Sequence, residues 1–248
     1  MPARGAAKKM TRKLDIVALG DVHGEFGRLN NFVNHRNPQI VLQCGDFGYW
    51  PNLNEKRRNR WHEPTEPKMH ETKLYWCDGN HEEFTSLADL TDNEVYPNVF
   101  WMKRGSTLDL PDGRKVLFLG DAKSVDQEIR LVQEAMTGLK LWFPEEQLHE
   151  DVVRALPEMQ VDIVVSHAAP REFRIWGAGY DAKEKDPTRL ALSLAWTRFR
   201  PKLWFFGHYH ARIRGEFKGT EYFGLNMAGC SDWWVELPGE QEGKRRLR

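Results

Sequence analysis

The 248-residue chain is poor in cysteine, in net charge and in long apolar runs. Its three cysteines, Cys44, Cys77 and Cys230, are too few and too scattered for a disulfide framework. They are expected to be reduced and mostly buried, in a cytoplasmic compartment. Basic and acidic residues balance at 36 each, so the basic excess of a protein that lives on nucleic-acid backbone is missing. No stable nucleic-acid partner is therefore expected. Apolar stretches such as 16–19 and 161–165 are only strand-sized, and no membrane span is expected. The basic opening at 1–13 lacks the apolar stretch of a signal peptide, and no internal repeat or flexible linker divides the chain.

What is present suits one packed domain. Apolar residues make up 40% of the chain and aromatics 12%, enough to build a core. A single domain is expected over 13–238, between a basic tail at 1–12 and a charged tail at 239–248. Within it, 51–72 is a polar insertion loop carrying the basic run 56–60, suited to a lid or substrate loop.

Mostly apolar runs at 14–19, 40–44, 74–77, 116–119, 161–165 and 203–206, broken only by Asp15, Gln43 and Asp162, read as strands buried on both faces. Helical spacing falls between them, with Leu29, Phe32 and Val33 on one stripe of 26–36, and Leu148, Val152 and Leu156 on another at 145–156. The last third reads as short antiparallel strands at 212–217, 220–226 and 233–237, turning at Lys218-Gly219. The expected fold is α/β, a two-sheet β-sandwich flanked by helices in four αββα layers.

Five of these strands end in polar turns: Gly20-Asp21-Val22-His23-Gly24, Gly45-Asp46, Asp78-Gly79-Asn80-His81-Glu82, Ser166-His167 and Gly207-His208-Tyr209-His210. The carboxyl edge of an α/β sheet is where ligands bind. Carboxylates crowded among neutral imidazoles need a cation to be stable, and Asp, His and an amide oxygen suit a borderline divalent ion such as manganese, iron or zinc. Seven such donors exceed the needs of one ion but fit two ions sharing a carboxylate, a pair that clamps a phosphoryl group and acidifies water.

Read in order, these blocks resemble those of the calcineurin-like metallophosphoesterases. The resemblance implies Asp21, His23 and His210 on a first metal, Asn80, His167 and His208 on a second, and Asp46 bridging them. It implies two divalent transition-metal ions, manganese foremost, with iron, zinc or nickel as alternatives. His81 takes the position of the family histidine that contacts phosphate and protonates the leaving oxygen. The implied reaction is in-line attack of metal-bound hydroxide on a phosphomonoester or phosphodiester, small-molecule or nucleotide-like, without a covalent enzyme intermediate. The protein-phosphatase branch continues its second block as GDxVDRG, whereas Phe47-Gly48-Tyr49-Trp50 follow Asp46 here. Tyr49 replaces the aspartate that orients the acid histidine, and the adjacent phosphate-gripping arginine is absent. A Ser/Thr protein phosphatase or a nuclease of the same superfamily, and an inactive scaffold, stand as alternatives.

Around this set, Asn80, Tyr49, Arg57 and Arg130 are candidate substrate contacts, and Ser124, Asp126 and Arg130 could close one side of the site. Glu82 is read as structural, His35, His62, His70 and His149 as surface residues, and Trp142, Trp196, Trp204 and Trp233 as core.

Overall fold

A computed structural model describes residues 15–52, 65–175 and 186–239. In chain order it contains β1 (Ile16–Leu19), α1 (Phe26–Arg36), β2 (Ile40–Gln43), β3 (Lys73–Trp76), α2 (Phe84–Ala88), β4 (Glu94–Tyr96), β5 (Val99–Trp101), β6 (Thr107–Asp109) and β7 (Lys115–Leu119). There follow α3 (Gln127–Thr137), a 3-10 turn (Pro144–Glu146), α4 (Glu150–Ala155), β8 (Ile163–Ser166), α5 (Pro187–Phe199), β9 (Leu203–Phe206), β10 (Ile213–Phe217), β11 (Thr220–Gly224) and β12 (Trp234–Glu236).

The strands form two six-stranded sheets, ordered β12-β1-β2-β3-β5-β4 and β10-β11-β9-β8-β7-β6. In each sheet four central strands run parallel and the two edge strands run antiparallel. The period of two explains the layering. Ile16 and Ala18 of β1 point between the sheets, with Phe118, Val165 and Phe205 opposite, whereas Val17 and Leu19 point outward onto Phe26, Leu29 and Val33 of α1. On the other flank Val164 and Trp204 meet Leu192, Ala195 and Trp196 of α5. Three apolar layers thus separate four layers of secondary structure, the αββα sandwich read from the sequence.

α1 keeps its expected bounds and ends at Asn37, whose left-handed backbone (φ 47°) directs its N–H to the carbonyl of Val33. The antiparallel reading of the last third holds for β10 with β11, which turn at Lys218-Gly219, and for β12 with β1; β11 also lies parallel to β9. The helix expected over 145–156 is broken. Glu146 buries its carboxylate on the backbone N–H of Ser124 and on Arg130, and Gln147 and His149 are extended, so a short turn and a six-residue helix replace one helix. Trp196, Trp204 and Trp233 are core, but Trp142 is only half-buried. Cys44 and Cys77 are buried, Cys230 half-buried, and His35, His70 and His149 exposed. The tail at 1–12, residues 240–248 of the other tail, His62 and most of the insertion loop lie outside the described residues. No helix among the described residues is long and apolar enough to cross a membrane.

Candidate metal centre

Parallel pairing puts the carboxyl ends of β1, β2, β3, β8 and β9 at one end of the sandwich, and five polar turns converge there. Asp21, Asp46, Asn80 and His167 are almost fully buried. The Asp21 carboxylate lies 2.9 Å from His210 Nε2 and 3.7 Å from His23 Nε2, and the two imidazole nitrogens are 3.0 Å apart. Asp46 turns its two oxygens to opposite sides. Oδ1 is 3.3 Å from His167 Nε2, and Oδ2 is 3.7 Å from His23 Nδ1. Asn80 Oδ1 stands 3.1 Å from the same His167 nitrogen, whose ring partner Nδ1 meets the Cys44 carbonyl at 2.7 Å. The His208 ring packs edge-on against His167 at 5.0 Å.

The chain accepts an unfavourable backbone to do this. His23, Asp46, His208 and His210 all have φ between 45° and 65°, a region that costs a non-glycine residue and that clusters at functional sites. Two glycines make the approach feasible. A β-carbon on Gly79 would stand 2.1 Å from Asp46 Oδ1, and one on Gly207 would stand 2.0 Å from Asp21 Oδ1.

The electrostatics describe a cluster in need of positive charge. Burial alone would raise the Asp46 carboxyl, yet His167, His81 and His23 hold it well below the ordinary carboxylate range. Burial would lower the His167 imidazole, yet Asp46 and Asp21 push it up to about 9. His210 is raised by its hydrogen bond to Asp21, and His208 is driven down by burial and by the neighbouring His167. Two sets of donor atoms lie close enough to share an ion, Asp21 with His23 and His210, and Asp21 with Asp46 and His167. Two buried carboxylates, an amide oxygen and imidazoles fit borderline divalent cations, which would replace the protons that hold the cluster together.

Support comes from residues behind the ligands. The buried Glu82 accepts backbone N–H groups from Phe47, Gly48 and Tyr49, fixing the turn that follows Asp46. That is the structural role read from the sequence. Asp46 Oδ1 itself accepts the backbone N–H of His81. Arg104, which no sequence motif marks, grips Asp78 through two donors and lies 3.3 Å from Asp121, tying the end of β3 to the end of β7 across the sheets. The sequence signal that could have found this layer is Gly120-Asp121, a further polar turn after the apolar run 116–119.

Beside the cluster opens a cleft of about 680 Å³, lined by His23, Glu25, Trp50, His81, Asp126 and Leu141 among others. Of the expected substrate contacts, Tyr49 does not reach it. The turn held by Glu82 directs this ring into the core, beside Trp76 and Tyr96. Arg130 borders the cleft but is only 5% exposed, and donates to the carbonyls of Asn80 and Leu141 and to Glu146. Its two terminal nitrogens are engaged by protein groups. Arg57 lies outside the described residues.

Known proteins place the fold. No curated protein matches the sequence. One solved chain is 14% identical over 86% of this chain and 91% of its own, with a TM-score of 0.50, and shares the fold. A phosphopantetheinyl hydrolase from Mycobacterium tuberculosis is similar at 13% identity over 92% of this chain and 98% of its own (TM-score 0.41). An archaeal phosphodiesterase is similar at 11% over 86% and 84% (TM-score 0.37). The sequence profile of the calcineurin-like phosphoesterases matches residues 14–212, a span that holds all five polar turns, and the chain belongs to that family.

Proposed function

We propose that the protein is a two-cation phosphoester hydrolase acting on a phosphomonoester or phosphodiester, small-molecule or nucleotide-like. The observation that carries this reading is the Asp46 carboxylate, which offers one oxygen to the His167 side and the other to the His23 side. A carboxylate so placed can serve two ions at once. Asp21, His23 and His210 would hold one ion with Asp46, and Asn80, His167 and His208 the other; manganese is the first candidate. When bound, the ions would neutralise phosphoryl charge and acidify a water.

The chain's own residues supply the rest. His81 stands 5.4 Å, ring to ring, from His23, at the boundary between the cluster and the cleft, so the leaving group of an ester would lie in the cleft. From there its imidazolium can give a proton to the departing oxygen. Trp50 donates its indole N–H to the His81 carbonyl at 2.7 Å, fixing the backbone of the acid. Trp50 and Leu141 add apolar surface to a cleft lined mainly by polar residues, which leaves room for an organic leaving group.

The test is elemental analysis of protein purified without chelator, followed by hydrolysis of p-nitrophenyl phosphate and bis-p-nitrophenyl phosphate with manganese added. Close to two metal equivalents per chain and turnover of at least one ester are expected. Failure to hydrolyse either ester when metal-loaded overturns the reading.

A further inference from the structure

We propose that the outer face of α3 is a self-association surface, on which a second copy of this chain packs antiparallel. A surface helix ordinarily turns its apolar stripe to the core. α3 does the reverse. Its buried residue is Arg130, held on the carbonyls of Asn80 and Leu141 and on Glu146. Glu134, four residues on, takes the backbone N–H groups of Leu141 and Trp142. Polar anchors thus fix the inner side and leave the apolar side chains outside. Of the six large apolar side chains that stand exposed among the described residues, five belong to 125–136: Val125, Ile129, Leu131, Val132 and Met136. Ile129, Val132 and Met136 fall three and four residues apart on one helix face, and Val125 stands just before the helix, four residues ahead of Ile129.

The stripe is complementary to itself. Its alternating spacing of four and three residues is that of a coiled-coil seam. A two-fold axis between Ile129 and Val132 sets Ile129 on the partner's Val132 and Met136 on the partner's Val125. Apolar then meets apolar along the whole seam, and the two helix dipoles oppose each other. The flanks agree. Asp126 and Gln133 border the seam on the cleft side, Glu128 and Ala135 on the other. With the helices antiparallel, Asp126 comes beside the partner's Gln133 and Glu128 beside the partner's Ala135, so no acid faces another. A lipid surface fits less well, because interfacial helices border their apolar face with Lys and Arg.

The area sets the strength. Fully burying an aliphatic side chain takes on the order of 100 Å² from water. Five that are 40–81% exposed therefore hold about 300 Å² between them. That suffices for the apolar centre of an interface but falls well short of the roughly 800 Å² per partner of a standard stable dimer. The dimer is accordingly weak and forms as concentration rises. Because Asp126, Arg130 and Gln133 of the same segment line the cleft, the second copy would stand at the cleft's rim.

The test is sedimentation velocity of the full chain from micromolar to millimolar concentration, where monomer should give way to dimer. Ile129→Glu and Val132→Lys each put an unpaired charge into the seam and should each weaken the dimer by at least about tenfold. Both positions are exposed in the monomer, so the circular dichroism and the denaturation midpoint should hold. Met227→Glu, which charges the exposed apolar side chain outside the stripe, should leave the dimer intact. An equal mixture of the Ile129→Glu and Val132→Lys proteins should regain the association that each has lost, because the antiparallel register brings the new carboxylate to the new ammonium. A chain that stays monomeric throughout overturns the proposal, whether its stripe is then covered by another segment of the same chain or binds anionic vesicles. A dimer that neither variant weakens, or a mixture that does not recover, overturns it as well. None of these readouts involves turnover, so the outcome is independent of the hydrolase reading.

Discussion

Gly207 lies so close to Asp21 that a β-carbon on it would meet the carboxylate oxygen at 2.0 Å. The glycine between β9 and His208 therefore makes room for the side chain that draws in His210 and takes the backbone N–H of His208. Gly207→Ala should cost about 1–3 kcal/mol of stability, the scale of overpacking. It should weaken metal binding more than a surface mutation would. Urea denaturation and manganese titration of the variant check both effects, and wild-type values in both would refute the close approach.

Asp46 joins the two halves of the cluster, so its loss cannot be confined to one of them. Asp46→Asn keeps the shape and removes the charge that faces His167 and His23. Turnover should disappear and metal content should fall at both positions. His81→Asn is the contrast, since His81 is not among the ligands. Its metal content should stay intact while the rate falls by roughly 10²–10⁴-fold, the scale of losing a general acid. Elemental analysis of the two variants side by side separates the roles, and an emptied site in His81→Asn would reverse them.

The metal-free cluster should be sensitive to alkaline pH. His167 is raised from 6.5 to about 9 by Asp46 and Asp21 against the opposing effect of burial. A group raised on folding adds stability that is fully present below its unfolded value and is lost as pH climbs through the folded value. In chelator, the denaturation midpoint should thus decline between about pH 6.5 and pH 9. Added manganese, which takes the place of the proton, should stabilise more at the upper end of that range. A midpoint flat across the range in chelator would show that His167 is not charged against Asp46.

Much of this site was legible because its parts fall at strand ends. Buried strands write themselves as apolar runs, and each of five runs ends in an Asp, His or Asn that the parallel pairing then gathers. α1 was equally plain, with Leu29 and Val33 on its buried stripe. The supporting layer was not. Arg104 follows a short strand with no motif about it, and only the folded chain brings it to Asp78 and Asp121. Spacing of apolar residues suggested one helix at 145–156, but spacing does not record that Glu146 is needed by Ser124 and Arg130. Tyr49 lies in the core rather than at the cleft for a related reason. Its proximity in sequence to Asp46 says nothing about the turn that Glu82 imposes.

That turn yields the last prediction. The carboxylate of Glu82 is fully buried and accepts three consecutive backbone N–H groups, from Phe47 at 2.6 Å, Gly48 at 3.1 Å and Tyr49 at 2.6 Å. Burial and the charge of Asp46 push the carboxyl up, and the three N–H groups oppose them. Truncation by Glu82→Ala would leave those donors buried without partners, at about 1–3 kcal/mol for each. Glu82→Gln is the finer probe, because its amide oxygen can still accept while its NH₂ faces N–H groups that it cannot satisfy. It should destabilise the chelator-treated protein less than Glu82→Ala does. Both should weaken metal binding, since the turn they loosen carries Asp46 at its start. Glu82 touches no cleft atom that the reaction needs, so KM should hold in whatever fraction remains metal-loaded. A Glu82→Ala protein as stable as wild type in urea would mean that the turn stands without its carboxylate.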